Sequence, residues 1–119
     1  MAEMNLVTII FNPDKFTELK KVLNEIGVTG MTVTHVEGCG VQHGQKTSVG
    51  YYRGVATDIS LLSKTKVEVV VSEVPVQKVV DAAMKVLKSD EIGAGKIFVS
   101  EIKNIWRIRT GEKDVEALK

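Results

Sequence analysis

A single cysteine, Cys39, stands in a chain of 119 residues, so no internal disulfide can form and a reducing cytoplasm is the expected setting. Metal sets built on cysteine and histidine are equally thin. His35, Cys39 and His43 are spaced by four and would meet on a helix, which Gly38 and Gly40 disfavour. No window approaches ~18 consecutive apolar residues and no charged leader precedes a long apolar run, so neither a spanning helix nor a signal segment is expected. Aromatic residues make up 5% of the chain, and its net charge is +1 with acids and bases interspersed. The charge balance excludes the broad basic field that binds nucleic acid by releasing counterions. The shortage of aromatics excludes a base-stacking sheet, because the last predicted strand offers Phe98 alone.

What is present is an ordinary apolar fraction, 44%, in a length that suits one domain spanning residues 1–119. The β-branched run Leu6-Val7-Thr8-Ile9-Ile10-Phe11 reads as a buried first strand, closed by Asn12-Pro13. Asn12 suits a helix N-cap with Pro13 at the first helical position. Phe16, Leu19, Val22, Leu23 and Ile26 follow at helical spacing, and Gly27 ends that helix. Met31 to Glu37 alternates as a second strand, which Gly38-Cys39-Gly40 should break. Lys66 to Val71 is the third strand, Pro75 opens a second helix running to about Ser89, and Lys96 to Ile102 is the fourth strand.

The order βαββαβ, with two proline-started helices in similar halves, predicts a ferredoxin-like α+β sandwich: four strands with both helices on one face. The other face needs a cover, and a closed homo-oligomer of the same chain supplies it. One connection departs from the pattern. Between the second and third strands, from Gly40 to about Ser60, lie ~20 residues without sustained periodicity, beyond the usual length of a structureless loop. Its glycines and polar residues predict a mobile, functional segment.

Two stretches carry chemistry. In Gly93-Ala94-Gly95-Lys96 the glycines let backbone N–H groups approach an anion and Lys96 adds a point charge, though the same pattern also suits a plain turn before a strand. Ile97 stands where a Walker loop needs Ser or Thr, so this is not a Walker loop. Arg107 and Arg109 are two apart, so in an extended segment both guanidinium groups leave one face while Trp106 and Ile108 leave the other. Alone, that pair more often marks a solvated strand face than a ligand clamp. Together the two stretches point to a nucleotide polyphosphate.

Six collinear blocks resemble the PII signal-transduction family: Thr29–Thr34, Gly38–Gly40, Tyr52–Gly54, Lys64–Val71, Gly95–Val99 and Arg107–Glu112. The resemblance covers almost the whole chain, is weakest between Val41 and Ser63, and is closest in wording to the Gram-positive branch around Cys39. It implies a trimer of ferredoxin-like subunits in which ATP and ADP compete for the clefts between subunits. It also implies a T-loop, about residues 40–60, that contacts targets, and a C-terminal segment at about 103–119. By the same resemblance Gly93, Ala94, Gly95 and Lys96 hold phosphates from one subunit while Arg107 and Arg109 reach them from its neighbour. Thr32, Gly38 and Val70 line the adenine pocket and Glu68 reaches the ribose. Gln42 and Lys64 match positions that help hold Mg2+ and 2-oxoglutarate in members sensing that oxo-acid.

The sequence also departs from the family. Val41 stands where a basic residue is common and His43 where lysine is usual. Charge-assisted hydrogen bonds contribute roughly 1.5–3 kcal/mol each, so the balance between ATP and ADP should shift. Thr57 occupies the position of the tyrosine modified in proteobacterial members, which excludes uridylylation there. The resemblance thus implies a non-enzymatic, cytoplasmic regulator of a membrane transporter or nitrogen-metabolism target. The alternative is an adenylate-energy sensor that ignores 2-oxoglutarate and regulates a non-ammonium transporter.

Overall fold

The computed structural model describes residues 3–39, 49–52, 55–58 and 61–119, with the backbone alone at 49–52 and 55–58. Eight elements follow in order: β1 (Asn5–Phe11), α1 (Phe16–Glu25), β2 (Thr32–Cys39), β3 (Val49–Tyr52), β4 (Val55–Asp58), β5 (Leu61–Val71), α2 (Val76–Leu87) and β6 (Gly95–Glu101). Short 3-10 turns at Pro13–Lys15 and Asp114–Leu118 precede α1 and end the chain. The expected α+β sandwich is present: an antiparallel sheet in the order β2-β5-β1-β6 with two helices.

Alternation decides which face is buried. Val7, Ile9 and Phe11 on β1 lie opposite Val69, Val67 and Thr65 on β5, and all six are essentially inaccessible to solvent. Leu19 and Leu23 of α1 and Val79 and Ala83 of α2 complete this core. Burying each large aliphatic side chain contributes about 1.5–3 kcal/mol before chain entropy is subtracted. The partners of the intervening residues form rows across the other face: Thr34, Lys66, Ile10 and Lys96, then Thr32, Glu68, Thr8 and Phe98. Val115 and Leu118 reach that face beside Thr32 and Glu68, while Phe98 farther along the row remains 51% exposed.

The helix ends follow local chemistry, with one exception. Gly27 has φ +99°, its N–H donates to the Asn24 carbonyl at 3.1 Å, and the Val28 N–H donates to the Leu23 carbonyl at 3.0 Å. These paired bonds, with glycine in the left-handed region, are what stops α1. Pro75 is the N-cap of α2 and not its first helical residue, since its ψ of 140° is extended. Asn12 makes no cap hydrogen bond, and a 3-10 turn intervenes before α1. The Asn12 side chain is instead engaged by Lys64.

The region between β2 and β5 differs from expectation. β2 runs through Gly38 to Cys39, because β5 begins at Leu61 and not Lys66, and Cys39 pairs with Leu61 across the extended ladder. Pairing here overrides the glycine signal, as tertiary context often does for strand propensity. Between them β3 and β4 form a separate antiparallel pair, Val49 opposite Asp58 and Tyr52 opposite Val55, where no strand was expected.

One buried group is out of balance. The Thr65 hydroxyl has no hydrogen-bond partner among the described residues, although Thr65 is 1% exposed. Burying a hydroxyl without a partner costs roughly 1–3 kcal/mol. Thr65→Val should therefore raise stability by about 1 kcal/mol, read as a higher urea midpoint with unchanged slope. A drop of that size would show that the hydroxyl has a partner in solution.

Candidate functional site

The Gly93–Lys96 turn delivers the chain from α2 into β6. Gly93 has φ +90° and Gly95 φ +126°, a region that residues with a Cβ rarely enter. Gly95 opens β6 opposite Phe11, and a Cβ added there would sit 1.9 Å from the Ile10 carbonyl oxygen. Lys96 follows on the open face of the sheet. It shares a row with Lys66, two strands away at about 10 Å by ordinary strand spacing.

Lys64 ties this turn to the rest of the sheet. The residue is 8% exposed, and its Nζ donates to Asn12 Oδ1 at 2.6 Å and to the Gly93 carbonyl. Its aliphatic stem passes Gly38, where an added Cβ would touch Lys64 Cγ at 3.4 Å. Among the described residues its partners are neutral oxygens and no carboxylate pairs with it. A buried cation in that position has capacity left for an anion.

Thr32, Glu68 and Val70 meet in one cavity of about 480 Å³, beside the loop after α1. The volume falls in the range of small-molecule sites. Thr32 and Glu68 are cross-strand partners, and the Glu68 carboxylate lies 3.9 Å from Lys66 Nζ, a long contact between two half-buried side chains and therefore a weak pair. Ala94, Gly95 and Lys96 line a different cavity of about 400 Å³ with Ile10, Met84 and Lys88. Of the residues singled out in the sequence, Thr32, Glu68 and Val70 thus line one cavity and Ala94, Gly95 and Lys96 another, while Gly38, Lys64, Gly93, Arg107 and Arg109 line neither.

The arginine pair is not extended. The Gly111 N–H donates to the Arg107 carbonyl at 2.7 Å, closing a turn over residues 108–110, and Gly111 has φ +73°. The expectation of two guanidinium groups leaving one strand face is therefore corrected: Thr110-Gly111 reverses the chain before a strand can form. Arg107 Nη1 pairs with Glu112 Oε1 at 2.9 Å, and Nη2 donates to the carbonyls of Ala117, at 3.0 Å, and Lys119. Arg109 stands exposed in the turn beside the wholly exposed Ile108. Asp114 anchors the return: its carboxylate accepts the Ile105 N–H at 3.1 Å, and its own N–H donates to the Ile105 carbonyl at 2.7 Å. Lys113 lies over the Trp106 ring at 5.3 Å from its centre. This fold-back lays Val115, Ala117, Leu118 and Lys119 along the cavity of Thr32, Glu68 and Val70.

Sequence reading missed Asn12 as part of this region and left two places open for residues 113–119, over the cleft or loose. A polar residue beside proline reads as a cap, and no local pattern signals a bond 52 residues away. The expectations placed on Gly40, Val41, Gln42 and His43 lie outside the described residues, as does the side chain of Thr57, whose backbone pairs in β4 opposite Gly50. Among the described residues no three of His, Cys, Asp and Glu converge as a metal-ligand group, and no helix is long and apolar enough to cross a membrane.

Comparison with known proteins places this geometry. The family model described as nitrogen regulatory protein P-II matches residues 4–112. A nitrogen regulatory PII-like protein of Bacillus subtilis is 46% identical over 117 residues, covering 98% of both chains. The nitrogen regulatory protein GlnK of Escherichia coli is 40% identical over 115 residues, covering 97% of this chain and all of that one. Among solved structures, the GlnK–ATP complex of B. subtilis matches with TM-score 0.81 and 42% identity over 99% of both chains.

Proposed function

The chain belongs to the nitrogen regulatory protein P-II family, and on that premise we propose that it is a trimeric, non-catalytic regulator in which ATP and ADP compete for clefts between subunits. The observation that carries this reading is the likeness, over 99% of both chains, to a GlnK solved with ATP. Gly93, Ala94, Gly95 and Lys96 hold the phosphates from one subunit, their backbone N–H groups and the lysine supplying the positive field. Arg107 and Arg109 of a neighbour close the other side. Thr32, Gly38 and Val70 form the adenine pocket and Glu68 binds the ribose. Thr32, Glu68 and Val70 line one cavity and Ala94, Gly95 and Lys96 another, with Arg107 and Arg109 lining neither, which supports a site completed by a second copy.

The signal leaves through the T-loop, about residues 40–60, to a membrane transporter or another nitrogen-metabolism target, and the protein works in the cytoplasm. Ligands change the loop only if they bind its conformations with different affinity. β5 offers the route, since Lys64 near its start bonds the Gly93 carbonyl. Lys64 with Gln42 is also the place for Mg2+ and 2-oxoglutarate, and its lack of a carboxylate partner among the described residues favours an anionic ligand there.

Calorimetric titration should show ADP and ATP saturating the same sites in the micromolar to low millimolar range. No affinity for either would overturn the reading, as would ATP turnover at ordinary enzyme rates of ~1–1000 per second. Titrating 2-oxoglutarate in the presence of Mg2+ and ATP separates the two versions: saturation identifies an oxo-acid sensor, and its absence an adenylate sensor alone.

A further inference from the structure

We infer that Asn12 is a positioning residue for the phosphate turn, acting through Lys64. The inference rests on the nucleotide-binding reading above and adds to it a residue outside the glycine turn and the arginine pair.

The argument starts from the lysine's situation. An ammonium on a four-carbon stem is strongly hydrated and loses rotamer freedom when it is fixed, so burying it at 8% exposure requires directed acceptors. Two are present, and they belong to different parts of the fold. Asn12 Oδ1 comes from the connection between β1 and α1, at 2.6 Å, and the Gly93 carbonyl comes from the turn ahead of β6. Lys64 itself is on β5. One ammonium thus joins three segments just beyond the last rungs of their ladders, where Phe11 pairs with Thr65 on one side and Gly95 on the other.

The geometry assigns a division of labour. The stem passes beside Gly38, where an added Cβ would meet Lys64 Cγ at an ordinary contact distance of 3.4 Å. Asn12 fixes where the ammonium stops. The ammonium then holds the Gly93 carbonyl, which directs the next N–H groups of the turn away from the sheet and toward the space where an anion would sit. Asparagine suits the task because its oxygen is neutral. It orders the cation without cancelling its charge, so the positive field beside the phosphates survives. Aspartate at the same place would hold the lysine equally well and remove that field. Asn12 lines neither cavity, and its side-chain partner among the described residues is Lys64, through which it would act on a ligand.

The test compares ADP with adenosine, which lacks the phosphates, in the intact protein. In Asn12→Ala the lysine keeps one acceptor and the turn loosens; ADP should bind about tenfold more weakly, the equivalent of one charge-assisted hydrogen bond, while adenosine affinity stays within about twofold. Asn12→Asp should preserve thermal stability and still weaken ADP, by field and not by geometry, and that loss should shrink as salt rises. A purely structural residue would alter both ligands together, or neither. If wild-type protein binds ADP and both variants bind it normally, the inference is overturned while the nucleotide reading stands. If Asn12→Ala does not fold, Asn12→Asp alone decides: unchanged ADP affinity at low salt overturns the inference. If wild-type protein itself fails to bind ADP, the nucleotide reading falls and this inference falls with it.

Discussion

Gly95→Ala should destabilise the fold by at least about 4 kcal/mol, lowering the melting temperature by roughly 15 °C or leaving no folded protein at all. Two independent causes act at that one position. The backbone has φ +126°, where a Cβ is strained whatever surrounds it. That Cβ would also lie 1.9 Å from the Ile10 carbonyl oxygen and 3.0 Å from Ile10 C and Phe11 Cα. These are backbone atoms of β1, a strand paired on both sides, so they cannot move aside without breaking ladder bonds to β5 or β6. The control is Gly30→Ala, where no atom lies within 4 Å and φ is not in the left-handed range; it should change stability by no more than about 0.5 kcal/mol. Thermal melts of the two variants decide the matter. A Gly95→Ala protein within about 1 kcal/mol of wild type would mean that the turn has another conformation in solution.

The second large effect separates the two arginines. Arg109 is exposed in the turn and makes no hydrogen bond or ion pair among the described residues, so Arg109→Gln should leave the melting temperature within about 2 °C. The same change should weaken ADP by about ten- to a hundredfold, the loss expected for a charge-assisted bond to phosphate. Arg107 behaves differently because its guanidinium is shared between Glu112 and the carbonyls of Ala117 and Lys119. Arg107→Gln should cost stability as well as affinity, about 1–2 kcal/mol, since the tail loses its clasp. Melting curves and ADP titrations on the same preparations check both statements. Equal stability losses in the two variants would contradict the assignment of separate roles.

The contrast between these residues shows what was legible in the sequence. Strands with buried alternation were readable: Val7, Ile9 and Phe11, or Val67, Val69 and Val71, carry their own period, and the helices carry theirs. The glycine turn was readable because glycine is demanded by backbone shape and not by a partner. What escaped depends on distant pairing. β2 continues through Gly38 because Leu61 and Leu62 arrive opposite it, and β5 starts early for the same reason. β3 and β4 stabilise each other, and neither is long enough to announce itself alone. Arg107 and Arg109 read as strand neighbours until Gly111 turns the chain, and Asn12 read as a cap until Lys64 claimed it. That Thr32, Glu68 and Val70 line one cavity and Ala94, Gly95 and Lys96 another has no local signature, since it depends on how the strands pair.

The central claim is that a glycine turn from one copy and an arginine from the next enclose the same phosphates, and mixing two defective subunits tests it most directly. Lys96→Gln and Arg109→Gln proteins, each purified alone, should bind ADP poorly; both side chains are exposed and neither change should unfold the chain. Co-assembled and isolated as mixed oligomers, they should regain wild-type ADP affinity at a fraction of the sites, because some interfaces then pair an intact Lys96 with an intact Arg109. Mixed oligomers that recover no site of wild-type affinity would contradict the claim, as would a chain that remains monomeric while binding ADP at full strength.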